Sequence, residues 1–395
     1  MRNLSFDFVI VGAGIVGLTI AYELIKKHKN ILIIDKESSL GLHASGRNSG
    51  VLHAGFYYSP DSLKAKLTKD GNEYMKSFCK QMNVPLNECG KVVVASSERE
   101  LETLHILEQR AKANGVKVEI VTDKRLSELE PVAKTYKLAL WSPNTASVNP
   151  LEVLNALKSK LQDMGVRFLF NQKLIARASK QKLITKDHTI EFGKLINCAG
   201  LYADKIARLF DLGKEYKLMP FKGLYLINSG EKITLKRHIY PVPNIKNPFL
   251  GVHFTLSSEQ KLKIGPTATP CLWREQYALL ERFRPLEMLE TLSLGLKLML
   301  KNPPLARLGM EEFLKHFKTR VLSDAQRLIT YPLNPANWRW AKPGIRAQLI
   351  DLRTYSLVQD FIIQKDDVSV HILNAVSPAF TASFAFAKYL VENHI

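Results

Sequence analysis

Two kinds of hydrophobic spacing organise the first 40 residues. Phe6 to Val11 is a short apolar run closed by glycine, Ile15 to His28 repeats apolar positions at helical spacing, and Ile31 to Ile34 is a second apolar run. The pattern predicts strand, helix and parallel strand, a βαβ unit beginning at residue 6. The same stretch has the apolar density of a signal peptide or a membrane span. Three glycines at fixed spacing, and Glu23 inside the run, argue for a folded strand-turn-helix instead.

Further along, the spacing predicts a helix over 59–78 capped by Ser59 or Asp61, a strand over 91–96, a helix over 98–114 and a strand over 116–121. Asn149 before Pro150 marks a helix start, with the helix running to Met164 and ending at Gly165. Strand signals recur at 166–170, 181–185 and 194–197, followed by an amphipathic stretch over 201–210 and mostly strands and turns from 216 to 265. Residues 275–330 read as helical with a break at Asn302-Pro303-Pro304, and strands near 344–350, 358–364 and 369–374 precede a helix from about 378. No repeat, low-complexity tract or Gly/Ser linker divides the chain. The fold class is therefore α/β, a Rossmann-like domain interleaved with a strand-rich α+β domain.

With 395 residues, the chain is long enough for two to three domains. A hydrophobic share of 46% and a charged share of 24% exclude a disordered tail protein and a collagen-like chain. Lys and Arg number 56 against 37 Asp and Glu, a net charge of +19 that points to an anionic partner. Residues 151–250 hold 18 basic and 8 acidic side chains, whereas residues 81–150 hold 9 of each. The excess thus gathers in the middle of the chain. No nucleic-acid-binding motif accompanies it, so nucleic acid is not an expected partner. Cys79, Cys89, Cys198 and Cys271 form no CxxC pair and no Cys/His cluster, which indicates no metal site and no disulfide framework. A reducing cytoplasm is the simplest location.

Gly12-Ala13-Gly14-Ile15-Val16-Gly17 is a GxGxxG motif set directly between strand and helix. Its glycines permit the tight turn, the approach of a pyrophosphate and close helix-strand packing, and the helix start offers N–H groups to phosphate. Asp35 ends the second strand 18 residues after Gly17, where a carboxylate can accept from an adenosine ribose. A bound dinucleotide follows. The motif alone does not separate FAD from NAD.

Residues 42–67, LHASGRNSGVLHAGFYYSPDSLKAKL, resemble the segment after the second strand in the L-2-hydroxyglutarate dehydrogenase/oxidase family of D-amino-acid-oxidase-like flavoproteins. PFKGLYL (220–226), RHIYPVPNIKNPFLGVHFT (237–255), KIGPTA (263–268), KPGIRAQLID (342–351) and HILNAVSPAFTAS (371–383) continue the resemblance in order. It implies FAD as cofactor, an FAD-binding domain built from 1–80, 145–215 and 335–395, and a substrate-binding domain from 81–144 and 216–334. The cofactor residues it implies are Gly12, Gly14, Ile15, Gly17, Asp35, Lys36, Ser45, Gly46, Arg47, Asn48, Ser49, Gly50, Leu174, Ala199, Gly200 and Gly344. Ser377, Pro378, Ala379, Phe380 and Thr381 join them at a helix start suited to the negative charge of reduced flavin.

Oxidation of a 2-hydroxy acid requires hydride loss from C2 and removal of the hydroxyl proton, a task for a histidine. The resemblance places His53 there, with His253 and His238 as competitors that can orient substrate. Arg346 follows a flavin-contacting glycine in the resembled pattern and is the choice for the substrate carboxylate; its ordinary use would be a salt bridge to Asp351. Tyr57, Lys66, Lys222, Tyr240 and His253 are the remaining substrate candidates. Arg47, Lys222 and Leu224 depart from the family's histidine, arginine and glutamate, which leaves room for a different anionic 2-hydroxy acid. The runner-up is an amine or amino-acid oxidase of the same superfamily. A flavoprotein with mainly a membrane- or nucleic-acid-binding role is the reading from another class.

Oxygen or a membrane quinone would accept the electrons. Leu289, Leu292, Leu296, Met299 and Leu300 share one helical face, with Leu294 and Leu298 widening the apolar arc beside Lys297 and Lys301. Packing against the core or a second subunit is the ordinary use of such a face. Peripheral contact of 286–301 with the inner face of a membrane is the alternative.

Overall fold

The computed structural model describes residues 2–245 and 250–395, so positions 246–249 of the 237–255 segment lie outside the described residues. The chain forms two compact units. The first comprises Met1–Asn48, Pro150–Pro220 and Arg346–Ile395, and the second comprises Ser49–Asn149 and Phe221–Ile345. Residues 49–80, 145–149 and 335–345, which the resemblance places in the FAD-binding domain, group with the second unit, and 216–220 group with the first.

The first unit is built on a mostly parallel sheet. Arg2–Val11 runs parallel to Ile31–Ile34 on one side and to His188–Asn197 on the other, and Arg167–Leu169 and Ser369–Asn374 extend the parallel set. Leu174–Ser179 and Lys182–Thr185 add an antiparallel hairpin next to His188–Asn197. Val9, Ile10, Leu32 and Ile34 are wholly buried, as expected of parallel strands covered on both faces. The first strand begins four residues earlier than its apolar run because Arg2–Phe6 pair in register with His188–Phe192. The first helix, Ile15–Leu24, stops short of His28: the N–H groups of Lys27 and His28 both turn back to the Leu24 carbonyl.

The second unit carries an eight-stranded sheet in the order Trp338–Trp340, Leu226–Asn228, Leu262–Gly265, His253–Leu256, His238–Pro241, Lys91–Val94, Leu138–Ser142 and Glu119–Thr122. His238–Pro241 and Lys91–Val94 pair in parallel, with His238 opposite Lys91, and Ile239 lies opposite Phe254 of the antiparallel neighbour. Side chains alternate across a sheet, so one face receives Val92, Val94, Ile239 and Phe254, which join an apolar core. The other face receives Lys91, His238, Tyr240, His253 and Thr255.

Three helices follow in this unit, Pro285–Lys301, Pro303–Phe313 and Lys318–Gln326. The expected break falls at Asn302, whose side-chain oxygen accepts from Leu305 N–H and starts the second of them. Residues 275–284 are not helical as expected; Arg282 sits at φ 51°, outside helical conformation. The apolar arc of 285–301 also divides. Leu294 and Leu298 pack inward, at 4% exposure each, while Leu289, Leu292, Leu296, Met299 and Leu300 are 49–73% exposed.

The helix Leu63–Gln81 is capped by Ser62 rather than Ser59 or Asp61: Ser62 Oγ accepts from Ala65 N–H at 3.1 Å. Its phase sets Ala65, Leu67 and Met75 inward. Ser62→Ala should lower the unfolding free energy by about 1 kcal/mol in denaturant titration, whereas Ser59→Ala should cost less.

Candidate active site

In the first unit the motif turn is closed by backbone. Gly12 has φ +109°, and a Cβ there would lie 2.4 Å from the Cys198 carbonyl oxygen. A Cβ on Gly17 would lie 2.0 Å from the Gly12 carbonyl oxygen, and one on Gly14 2.9 Å from Ser45 Oγ. Asp35 ties the turn down, accepting from Ala13 N–H at 2.8 Å and from Glu37 N–H at 2.9 Å. Ser45 Oγ accepts from Ile15 N–H at 3.0 Å and so stands at the helix start. This cradle, bare of side chains at Gly12 and Gly14 and opening on a helix N-terminus, fits the diphosphate of a dinucleotide.

The other implied cofactor residues of this unit lie in loops and element ends. Gly46 packs where a Cβ would meet the Gly41 carbonyl oxygen at 2.2 Å. Arg47 N–H bonds the His43 carbonyl, and the Asn48 side chain donates to the carbonyls of Ala44 and Ser45. Lys36 pairs with Glu37. Leu174 opens the hairpin, and Ala199 and Gly200 follow the strand that ends at Asn197. Ser377 and Pro378 precede the helix Ala379–His394, whose first turn holds Phe380 and Thr381. Ser49, Gly50 and Gly344 belong to the second unit.

The second unit gathers His53, Tyr57, Tyr240 and His253, together with His238 and a residue the sequence reading passed over, Lys91. His53 follows the strand Val51–Leu52, and Asn72 Nδ2 donates to the carbonyls of Leu52 and His53 at 3.1 Å each. Lys91 Nζ lies 4.7, 4.4 and 4.5 Å from the ring centroids of Phe56, Tyr57 and Tyr240. Tyr240 in turn stacks on His253 with centroids 3.6 Å apart. All of these side chains are buried.

Hydrogen bonds orient two of the imidazoles. His238 Nδ1 accepts from Leu256 N–H at 3.1 Å, so its proton is on Nε2, facing Cys89 Sγ at 3.3 Å. His253 Nδ1–H donates to the Gly251 carbonyl at 2.9 Å, which leaves Nε2 as its acceptor. Burial, followed by the charge of Lys91, pushes His238 down to about 3. Burial likewise pushes His253 down to about 3. Burial, then Lys91, His253 and His238, holds His53 well below the ordinary histidine range. The same desolvation raises the Tyr57 phenol well above its usual value and lowers Lys91. At neutral pH the compartment therefore presents neutral imidazoles, the state in which a histidine takes up a proton.

The remaining expected substrate residues lie on other elements. Lys66 is exposed on the helix Leu63–Gln81, and the buried lysine of that helix is Lys64. Lys222 is half-buried beside Cys271, with its pKa lowered by burial. Arg346, in the strand Gly344–Asp351, is partly buried, and the partner of Asp351 is Arg353 at 2.5 Å.

Residues 7–393 match the DAO family, described as FAD dependent oxidoreductase. The chain is 34% identical to the mitochondrial L-2-hydroxyglutarate dehydrogenase of Caenorhabditis briggsae, over 99% of this chain and 93% of that protein. It is 33% identical to the L-2-hydroxyglutarate dehydrogenase of Indibacter alkaliphilus, over 98% of each. In fold it resembles the dithionite-reduced, FAD-bound L-α-glycerophosphate oxidase of Mycoplasma pneumoniae, with TM-score 0.80 and 22% identity over 98% of this chain and 94% of that one.

The close backbone contact at Gly17 yields a direct test. Gly17→Ala should purify with little bound flavin, read as visible absorbance relative to protein. Gly309→Ala, where a Cβ meets nothing within 4 Å, should retain it.

Proposed function

This chain belongs to the DAO family of FAD-dependent oxidoreductases, and we propose that it oxidises L-2-hydroxyglutarate to the 2-oxo acid with His53 as the base. Likeness along the full chain to L-2-hydroxyglutarate dehydrogenases carries the substrate reading. FAD, when bound, supplies the two-electron hydride acceptor. The cradle at Gly12, Gly14 and Gly17 would hold its diphosphate, with Asp35 supporting the turn.

The protein's own part is positioning and proton transfer. His53 takes the hydroxyl proton as C2 gives up its hydride, so the carbinol becomes a carbonyl and the imidazole an imidazolium. Burial keeps His53 neutral beforehand. Arg346, with its permanently charged planar fork, is the proposed holder of a substrate carboxylate. Tyr57, Tyr240 and His253 line the compartment around the base, and His253 Nε2 offers an acceptor for orienting substrate.

We also infer that the electrons leave toward a quinone at a membrane surface. Leu289, Leu292, Leu296, Met299 and Leu300 are exposed on one helix, Met310, Phe313 and Phe317 are exposed in the residues that follow, and Lys297, Lys301 and Arg307 are interspersed with them in sequence. Such a face suits an anionic bilayer surface. No helix among the described residues is long and apolar enough to cross a membrane.

Two measurements test these readings. In anaerobic mixing, L-2-hydroxyglutarate should bleach the oxidised-flavin band faster than its D-enantiomer or any amino acid, and His53→Ala should slow bleaching about 10²–10⁴-fold with FAD retained. Faster bleaching by an amino acid would favour the amine-oxidase reading, and full activity of His53→Ala would remove His53 as base. In co-sedimentation, the holoenzyme should bind anionic vesicles over neutral ones. Leu296→Glu combined with Leu300→Glu should abolish that binding without slowing anaerobic bleaching.

A further inference from the structure

Lys91 enters no step of the reaction above, yet it occupies the centre of the compartment. It opens the strand Lys91–Val94 among buried valines, is wholly buried, and its Nζ finds no hydrogen-bond acceptor among the described residues. A buried ammonium without an acceptor is unfavourable, and an apolar side chain of similar length could fill the same space. What the surroundings offer instead is three aromatic faces, those of Phe56, Tyr57 and Tyr240, each within 5 Å of the nitrogen. Burial lowers the pKa of Lys91, and the three faces work against that shift, since they attract a cation rather than a neutral amine.

The groups around this cation come from several elements. Tyr57 follows His53 in the chain, His238 and Tyr240 lie on the strand paired in parallel with that of Lys91, and His253 and Thr255 lie on the next strand. Cys89 stands against His238. His238 is held neutral by the N–H it accepts from Leu256, and burial holds His253 neutral against its bond to the Gly251 carbonyl, which favours the charged form.

We propose that Lys91 is a positioning residue whose caged ammonium is the resident positive charge of the compartment, opposing a second charge on His53 and so keeping His53 neutral and able to take the substrate's proton. The proposal rests on the reading of His53 as base. In a dry site a second positive charge meets strong repulsion, because Coulomb interactions are little screened there. After burial itself, Lys91 is the neighbour that acts most strongly on His53.

The sign of the effect is definite. A cation lowers the pKa of a neighbouring histidine, so removing it raises that pKa, and the pH below which the base is lost moves up. Holoenzymes carrying Lys91→Met and Lys91→Arg test this by anaerobic flavin reduction with L-2-hydroxyglutarate across pH, and by nitrogen NMR titration of His53. Lys91→Met should move the acid limb of kcat/KM and the His53 titration upward together by about one pH unit or more. Lys91→Arg, which keeps the charge, should return both toward the unaltered values.

If both stay in place in Lys91→Met with FAD bound, Lys91 is only a packing residue and the proposal is overturned. If the His53 titration moves while the kinetic limb does not, the charge assignment stands and His53 is not the base. Should Lys91→Met fail to fold, the unaltered enzyme still decides: a His53 that titrates near the ordinary histidine value overturns the proposal.

Discussion

Water is kept from one face of the sheet in the second unit, and the chemistry of that unit follows from this exclusion. The strands place Val92, Val94, Ile239 and Phe254 on the opposite face as ordinary core, while Lys91, His238, Tyr240, His253 and Thr255 share the dry polar one. In water these groups would titrate at their usual values. Desolvation drives imidazoles down and phenols up, so the compartment at neutral pH offers proton acceptors and undissociated hydroxyls around a single caged lysine. A base that is neutral at rest is what removal of a hydroxyl proton requires.

The first unit works under a steric constraint instead. Its turn between strand and helix is so closely packed that a Cβ on Gly17 would run into the Gly12 carbonyl and one on Gly12 into that of Cys198. Side chains are excluded from the turn, the shape that a diphosphate-binding loop requires. The two units thus differ in what constrains them: close backbone approach in one, and burial of polar side chains in the other. The net charge of +19 is secondary to both.

What the sequence disclosed depended on whether the cause was local. The glycine spacing, Asp35 and the strands Ile31–Ile34 and Ser369–Asn374 were legible because each is written in adjacent residues. Ser59, Asp61 and Ser62 can all cap a helix, and only the packing of Ala65 and Leu67 selects Ser62. The exposed Lys66 and the buried Lys64 differ by helix phase alone. The arc of 285–301 likewise divides only when Leu294 and Leu298 find a core to face. Lys91 was hidden for the same reason, since KVVV reads as a strand with a charged first residue. That this residue lies opposite His238 is decided by parallel pairing with a strand some 150 positions later. The alternation in His238-Ile239-Tyr240 and His253-Phe254-Thr255 was the available signal: polar residues at every second position of buried strands mark a polar interior face.

The central claim is that the enzyme removes hydride from C2 of an L-2-hydroxy acid while His53 takes the hydroxyl proton. It is tested most directly by comparing anaerobic flavin reduction by L-2-hydroxyglutarate carrying protium or deuterium at C2. Deuterium at C2 should slow bleaching several-fold, since the C2–H bond breaks in that step. Equal rates under conditions where bleaching, rather than substrate binding, is limiting would contradict it.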